Sequence, residues 1–313
     1  LVLLKRVAAT GVGLVLLGVV GLTACGTNAE GEAALSEPRQ IPATAIPTPS
    51  LSGAPSSSAP AQQQLGAATY LTNSAPPPAS VAPKAATAAV PPNPAGWGSP
   101  VLVEDFNGSL SDAWGVYDSP SGTPARSNDM VSVSGGMLHL AGGVSPKYGK
   151  DIGSGVMYLP AQKYGRYEVR FRAMAGAGYG AVVLLWPQNN DDWPTVGEID
   201  LAEVTTANRQ EFGTFLHHGS ENHQVGTNSK ADFTKFHTIA VEWLPNRVTY
   251  FLDGKKFFNV TADKIQTGLP DESAMNLALQ LDQGCGDYAG CRNASTPSRV
   301  VMDVDWVRIY RAP

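Results

Sequence analysis

Cysteine, histidine and charge are all scarce in this chain of 313 residues, and each scarcity narrows what the protein does. There are three cysteines and five histidines, and His223 and His237 show no ligand spacing, so nothing supports a zinc site. With 22 basic and 27 acidic side chains the net charge is only −5, which gives no reason to expect nucleic-acid binding or capture of a polyanion. No long amphipathic helix is written anywhere, which excludes a helical fold. Charge almost vanishes from residues 26–97, where only Glu30, Glu32, Glu37, Arg39 and Lys84 carry it. Of the 24 prolines, 14 lie at or before Pro100. Such a stretch has too little apolar surface to offset its ordering entropy, so residues 26–97 are expected to be a disordered linker. It lacks a P-x-x-P cluster with basic neighbours, and a coil of that length spans roughly 50 Å, so it reads as a tether.

The first 25 residues have the pattern of an export signal. Lys5 and Arg6 supply a positive start, and the apolar run over residues 7–22 is too short and glycine-rich for a membrane span. The run ends in Leu22-Thr23-Ala24-Cys25-Gly26, which resembles a bacterial lipobox. That resemblance implies cleavage before a lipidated Cys25 and an exported lipoprotein held at a bacterial cell surface or membrane by acyl chains alone. A chance or buried cysteine is the alternative.

What the chain does have is a concentrated acidic strand, Gly197-Glu198-Ile199-Asp200-Leu201-Ala202-Glu203-Val204. Residues two apart on a strand share a face, so Glu198 and Asp200 point together while Ile199 and Leu201 point away. Strict alternation puts Glu203 on the wrong face. A β-bulge at Leu201-Ala202 brings it back, and the three carboxylates then converge and raise at least one pKa. An acidic sheet edge or part of a calcium site is the bland alternative, but the flanking Leu, Ile and Val indicate a central strand. The functional alternative is a carboxylate pair for glycosyl transfer, which in a retaining enzyme stands about 5–5.5 Å apart.

The segment Glu-Ile-Asp-Leu-Ala-Glu resembles the bulged, laminarinase-like E-x-D-x-x-E signature of glycoside hydrolase family 16. The resemblance implies a concanavalin-like β-jelly-roll and a retaining mechanism. It makes Glu198 the nucleophile, Asp200 its electrostatic partner and Glu203 the general acid/base, whose pKa the other two carboxylates are expected to raise. It extends to the opening segment 101–108, to 236–243 and to 305–310, and so covers roughly the last two-thirds of the chain.

The texture from Val101 onward is all-β. Residues 167–172, 239–243 and 301–307 alternate cleanly, and Arg247–Leu252, Asp253-Gly254 and Lys255–Val260 read as a hairpin with a primed turn. A two-sheet sandwich over residues 98–313 is the expected architecture, and a single catalytic domain the expected organisation.

Sugar rings present apolar faces, so aromatic platforms are expected beside the carboxylates. Trp186 and Trp193 bracket the loop before the acidic strand and are candidate subsite walls, Trp193 the better one, with a core position the alternative. Trp243 and Trp306, in alternating strands, read as core. The resemblance places His217 near the acid/base; the family more often has an aromatic residue where this chain has His218, and only one of the two histidines can enter the site. Asn276 and Gln280 share a face of an apolar strand, and each either meets a sugar hydroxyl or satisfies nearby backbone. Cys285 and Cys291 enclose a loop short enough to close as a disulfide in an exported protein. By resemblance, Glu104 and Asp305 from the two chain ends are candidate ligands of a structural calcium, with surface carboxylates as the alternative. No cofactor is expected for catalysis. The expected partner is a polysaccharide, a β-1,3- or mixed-linkage glucan cleaved internally with galactans left open, and the expected state a monomer. A transglycosylase with the same catalytic residues and a non-catalytic glycan-binding protein of the same fold are the competing readings.

Overall fold

In this computed structural model the structure describes Pro94, residues 96–285 and residues 288–313. The export signal, Cys25 and nearly all of the linker lie outside the described residues. Trp97, at the linker's end, is already packed: it is 8% exposed and its indole donates to Glu242 Oε1 at 3.0 Å.

Sixteen strands lie among the described residues. The first four are β1 (Leu102–Glu104), β2 (Trp114–Val116), β3 (Val131–Ser134) and β4 (Met137–Val144). Next come β5 (Asp151–Ile152), β6 (Ser154–Tyr158), β7 (Gly165–Ala173) and β8 (Tyr179–Pro187). They are followed by β9 (Glu198–Val204), β10 (Glu211–His218), β11 (His223–Lys230) and β12 (His237–Leu244). The last are β13 (Arg247–Leu252), β14 (Lys255–Val260), β15 (Met275–Gln283) and β16 (Arg299–Tyr310). Three short 3-10 turns are the only helical pieces among the described residues.

The strands form two antiparallel sheets. One runs β14-β13-β12-β7-β16-β4-β3, with β1 added to β16 and β5 to β4; the other runs β11-β10-β9-β8-β15-β6-β2. Alternation along each strand sends one set of side chains into a shared core, including Val169 and Phe171 of β7, Val183 and Leu185 of β8, Ile199 of β9 and Leu277 of β15. Each such buried aliphatic or aromatic side chain contributes about 1.5–3 kcal/mol, and this burial supports the sheet whose other face carries the charges. The architecture is the all-β jelly-roll sandwich expected from the sequence.

The hairpin falls where the sequence places it. Asp253 (φ 49°) and Gly254 (φ 77°) both take positive φ, as a primed two-residue turn demands. Trp243 is fully buried and donates to Pro270 O at 3.0 Å. Trp306 is buried as expected, at 6% exposed, but it stands outside the central cluster: the β7–β16 register slips between Val304 and Trp306, which places it on the outer face, where Arg308 lies over its ring at 5.1 Å.

Candidate active site

Strand β9 has a hydrogen-bonded neighbour on each side, β8 and β10, so it is an interior strand and not an acidic edge. Its register reveals the bulge. Val183 pairs with Ala202 but Leu184 with Asp200, which leaves Leu201 as the extra residue. Across β10, Gly213 pairs with Glu203 and Phe215 with Asp200, so the single residue Thr214 faces Leu201-Ala202. Thr214 Oγ1 donates to Leu201 O at 3.0 Å and pins the bulge. Leu201 and Ala202 both turn into the core, and Glu203 rejoins Glu198 and Asp200 on the outer face of the seven-stranded sheet.

The carboxylates sit in poor solvent. Glu198 is 8% exposed and Asp200 1%, and Val182, Leu184, Met157 and Ala278 make an apolar patch beside them. Trp193 Nε1 donates to Glu198 Oε2 at 2.8 Å. His217, opposite Glu198 on β10, has Nδ1 2.9 Å from Asn222 Oδ1 and Nε2 3.3 Å from Asp200 Oδ2. The latter pair lacks hydrogen-bond alignment, so neither Asp200 oxygen has a hydrogen-bond partner. His217 therefore enters the site. His218 faces the other way, towards Gly268 O at 2.9 Å and Glu272 at 3.1 Å.

All three carboxylates are pushed above their ordinary range, and burial is the first cause for each. For Glu198 the charge of Asp200 adds to burial, while His217 and the Trp193 N–H pull back. For Asp200 the added repulsion comes from Glu203. For Glu203, His217 opposes burial and the further upward push comes from Asp282 on β15, not from the two neighbours on its own strand. The donor atoms of Glu198, Asp200 and His217 all lie within 4.8 Å of one another, close enough to hold a cation. A metal there would occupy the oxygens that the carboxylates need for chemistry.

Trp186 and Trp193 stack at 5.6 Å with 20° between their planes. Trp186 is 5% exposed and its indole is spent on Asn190 Oδ1 at 3.0 Å, so Trp193 presents the outer ring and also grips Glu198. Asn276 takes the backbone side of its alternative: its Nδ2 donates to Tyr158 O at 3.0 Å and Leu159 O at 2.7 Å. Gln280 Oε1 accepts from Arg126 at 3.0 Å, while its buried Nε2 has no partner. Cys285 and Cys291 form a disulfide.

Glu104 and Asp305 do not join the cation-competent group. Glu104 accepts from Phe106 N at 2.8 Å and Trp114 Nε1 at 3.3 Å, and Asp305 pairs with Arg170 at 3.0 Å. Both carboxylates are thus engaged by protein donors.

Several residues on this face were not singled out from the sequence. Arg126 makes a two-pronged bond to Asp282, at 2.7 and 2.8 Å, and its guanidinium lies 5.1 Å from the Tyr117 ring centroid. Phe215 lies flat across β10 and β11, because a Cβ on Gly213 or Gly226 would come within 2.4 or 2.2 Å of its ring. Strand parity from Asn276 and Gln280 extends to Asp282 and was a usable signal. Arg126 stands in an irregular Ser/Gly/Pro stretch with no period to read.

An antiparallel sandwich with raised-pKa carboxylates and aromatic rings on one open face belongs to the class of carbohydrate-active jelly rolls. The sequence profile described as glycosyl hydrolases family 16 matches residues 128–308, and the chain belongs to that family. A β-glucanase of Rhodothermus marinus is 26% identical over 219 residues, covering 63% of this chain and 76% of the relative. A glucan endo-1,3-beta-glucosidase of Cryptopygus antarcticus is 26% identical over 220 residues, covering 60% and 81%. The laminarinase catalytic domain of Thermotoga maritima superposes with a TM-score of 0.62 at 20% identity, covering 69% of this chain and 98% of that one.

Proposed function

We propose that the protein is a retaining endo-hydrolase of a β-1,3- or mixed-linkage glucan. The observation that carries this reading is the convergence of Glu198, Asp200 and Glu203 on one face of the bulged β9, with Glu198 held by the Trp193 N–H. In this reading Glu203 supplies the proton to the departing glycosidic oxygen while Glu198, whose carboxylate form His217 and the Trp193 N–H favour, attacks the anomeric carbon. Glu203, now ionised, then takes a proton from water as that water displaces Glu198. Asp200 shares its environment with His217 and supports Glu198 through the cycle. The β-glucan assignment draws on the relatives whose names are β-glucanase or glucan endo-1,3-beta-glucosidase.

Product analysis on a panel of β-glucans and β-galactans tests this. Shortened oligosaccharides from one polymer, released with retained anomeric configuration, are expected from the wild type. Glu198→Gln is expected to lower kcat by on the order of 10³-fold or more while leaving glycan binding intact. Substantial residual turnover sinks the nucleophile assignment, and products longer than the substrate move the reading to transglycosylase. The Cys25 lipobox pattern supports a further part of the proposal, an exported, membrane-tethered protein, checked by Cys25→Ala releasing the protein from the membrane fraction.

A further inference from the structure

Beyond the carboxylates, the same face carries an aromatic residue for which the chemistry above has no use. Tyr288 is 40% exposed, yet its ring rests on β8: a Cβ on Gly180 would come within 2.9 Å of Cε1 and 3.0 Å of the hydroxyl. Only glycine at 180 lets the ring lie so close to the strand. The loop that carries Tyr288 is anchored twice, by the Cys285–Cys291 disulfide and by two backbone bonds to Gly178. Gly284 N donates to Gly178 O at 3.0 Å, and Gly178 N to Ala289 O at 3.3 Å.

The register places this ring beside the catalytic row. Val182 pairs with Glu203 on one side and Gln280 on the other. Gly180, two residues along, pairs with Asp282, a step of about 7 Å on a strand and of the order of one sugar residue. Burial pushes the Tyr288 pKa up, and the Glu203 and Asp282 carboxylates add to the shift. Next to Tyr288 stands the buried Arg126–Asp282 pair, with Gln280 Oε1 accepting from the same guanidinium. An exposed ring face beside a few fixed polar groups is what a sugar subsite requires.

We propose that Tyr288 is a specificity-determining residue whose ring, held on Gly180 by the disulfide-closed loop, stacks against the sugar bound next to Glu203. This rests on the glucan-hydrolase reading above and names a binding position within it.

The test uses the full chain on the polymer it cleaves and on oligosaccharides of increasing length from that polymer, with kcat, KM and product lengths measured. Tyr288→Ala is expected to raise KM about tenfold on longer substrates with kcat nearly unchanged, the signature of lost uniform binding, and to shift the cleavage pattern. Tyr288→Phe keeps the ring and is expected to match the wild type. The double variant Cys285→Ser/Cys291→Ser is expected to follow Tyr288→Ala, and an unchanged melting temperature for the exposed Tyr288 variants separates binding from folding. An unaltered KM and product pattern in Tyr288→Ala, a fall in kcat alone, or a Phe variant as impaired as the Ala variant each overturns the inference. A wild type inactive on every polymer overturns the functional reading and this inference together; an active wild type with an indifferent Tyr288 overturns only the latter.

Discussion

The Trp193 indole donates to Glu198 and, together with His217, holds that carboxyl down against burial and the charge of Asp200. Its N–H stabilises the carboxylate form, because a hydrogen bond to a charged acceptor is worth about 1.5–3 kcal/mol. Trp193→Phe keeps an aromatic ring to stack on Trp186 but removes that donor. Glu198 then ionises at higher pH, so the acid limb of the kcat/KM profile is expected to move upward, with a loss at neutral pH of about 10- to 100-fold. A pH profile measured from the acid side decides the matter: an unmoved limb means that Trp193 packs but does not tune. Trp193 was readable as an aromatic next to the acids. Its grip on Glu198 was not, because the intervening turn Asn190–Asp192 sets the indole's direction and no strand period applies there.

At the level of the elements, β9 works only because of one surplus residue. The apolar residues Leu201 and Ala202 both enter the core, which turns the acidic side chains to the opposite face. This was legible from sequence, since E-x-D-x-x-E breaks the period of two and only a bulge reconciles it with a strand. The device that pins the bulge was not legible. Thr214 is one threonine in an alternating strand, and its partnership with Leu201 O depends on a register that no local pattern reveals. Thr214→Val is nearly isosteric and leaves that carbonyl without its donor in a buried site, at a cost of about 1–3 kcal/mol. A lower denaturation midpoint together with a reduced kcat is the expected outcome. A destabilised variant with wild-type kcat would show that the bulge holds its shape without Thr214.

Across the whole molecule, the strands and their framework were legible because alternation and turn chemistry are local. The full site was not, because it is assembled across distance: Arg126 meets Asp282 over 156 positions, and Tyr288 reaches β8 from a disulfide loop. The outward turn of Trp306 follows from a register slip that is likewise a property of paired strands. Such a site also taxes the fold. Asp200 is buried with both oxygens unpartnered, and its pKa lies well above the ordinary carboxylate value, burial being the first cause and Glu203 the second. The unfolded chain ionises this group near pH 4, at about 3.9, whereas the native state keeps the proton to higher pH. Between those two values the native state binds more protons, so its stability falls as pH rises through the folded pKa. Asp200→Asn removes the penalty and also relieves Glu198. Its melting temperature is expected to exceed the wild type's by on the order of 2–4 °C at pH 8, for about 1 kcal/mol in a domain of this size. The gain should shrink towards zero near pH 4, while glycan cleavage is lost. Thermal melts of the two proteins across that range settle it: a variant no more stable than the wild type at pH 8 would mean that the buried carboxyl is compensated within the fold and that the triad carries no stability cost.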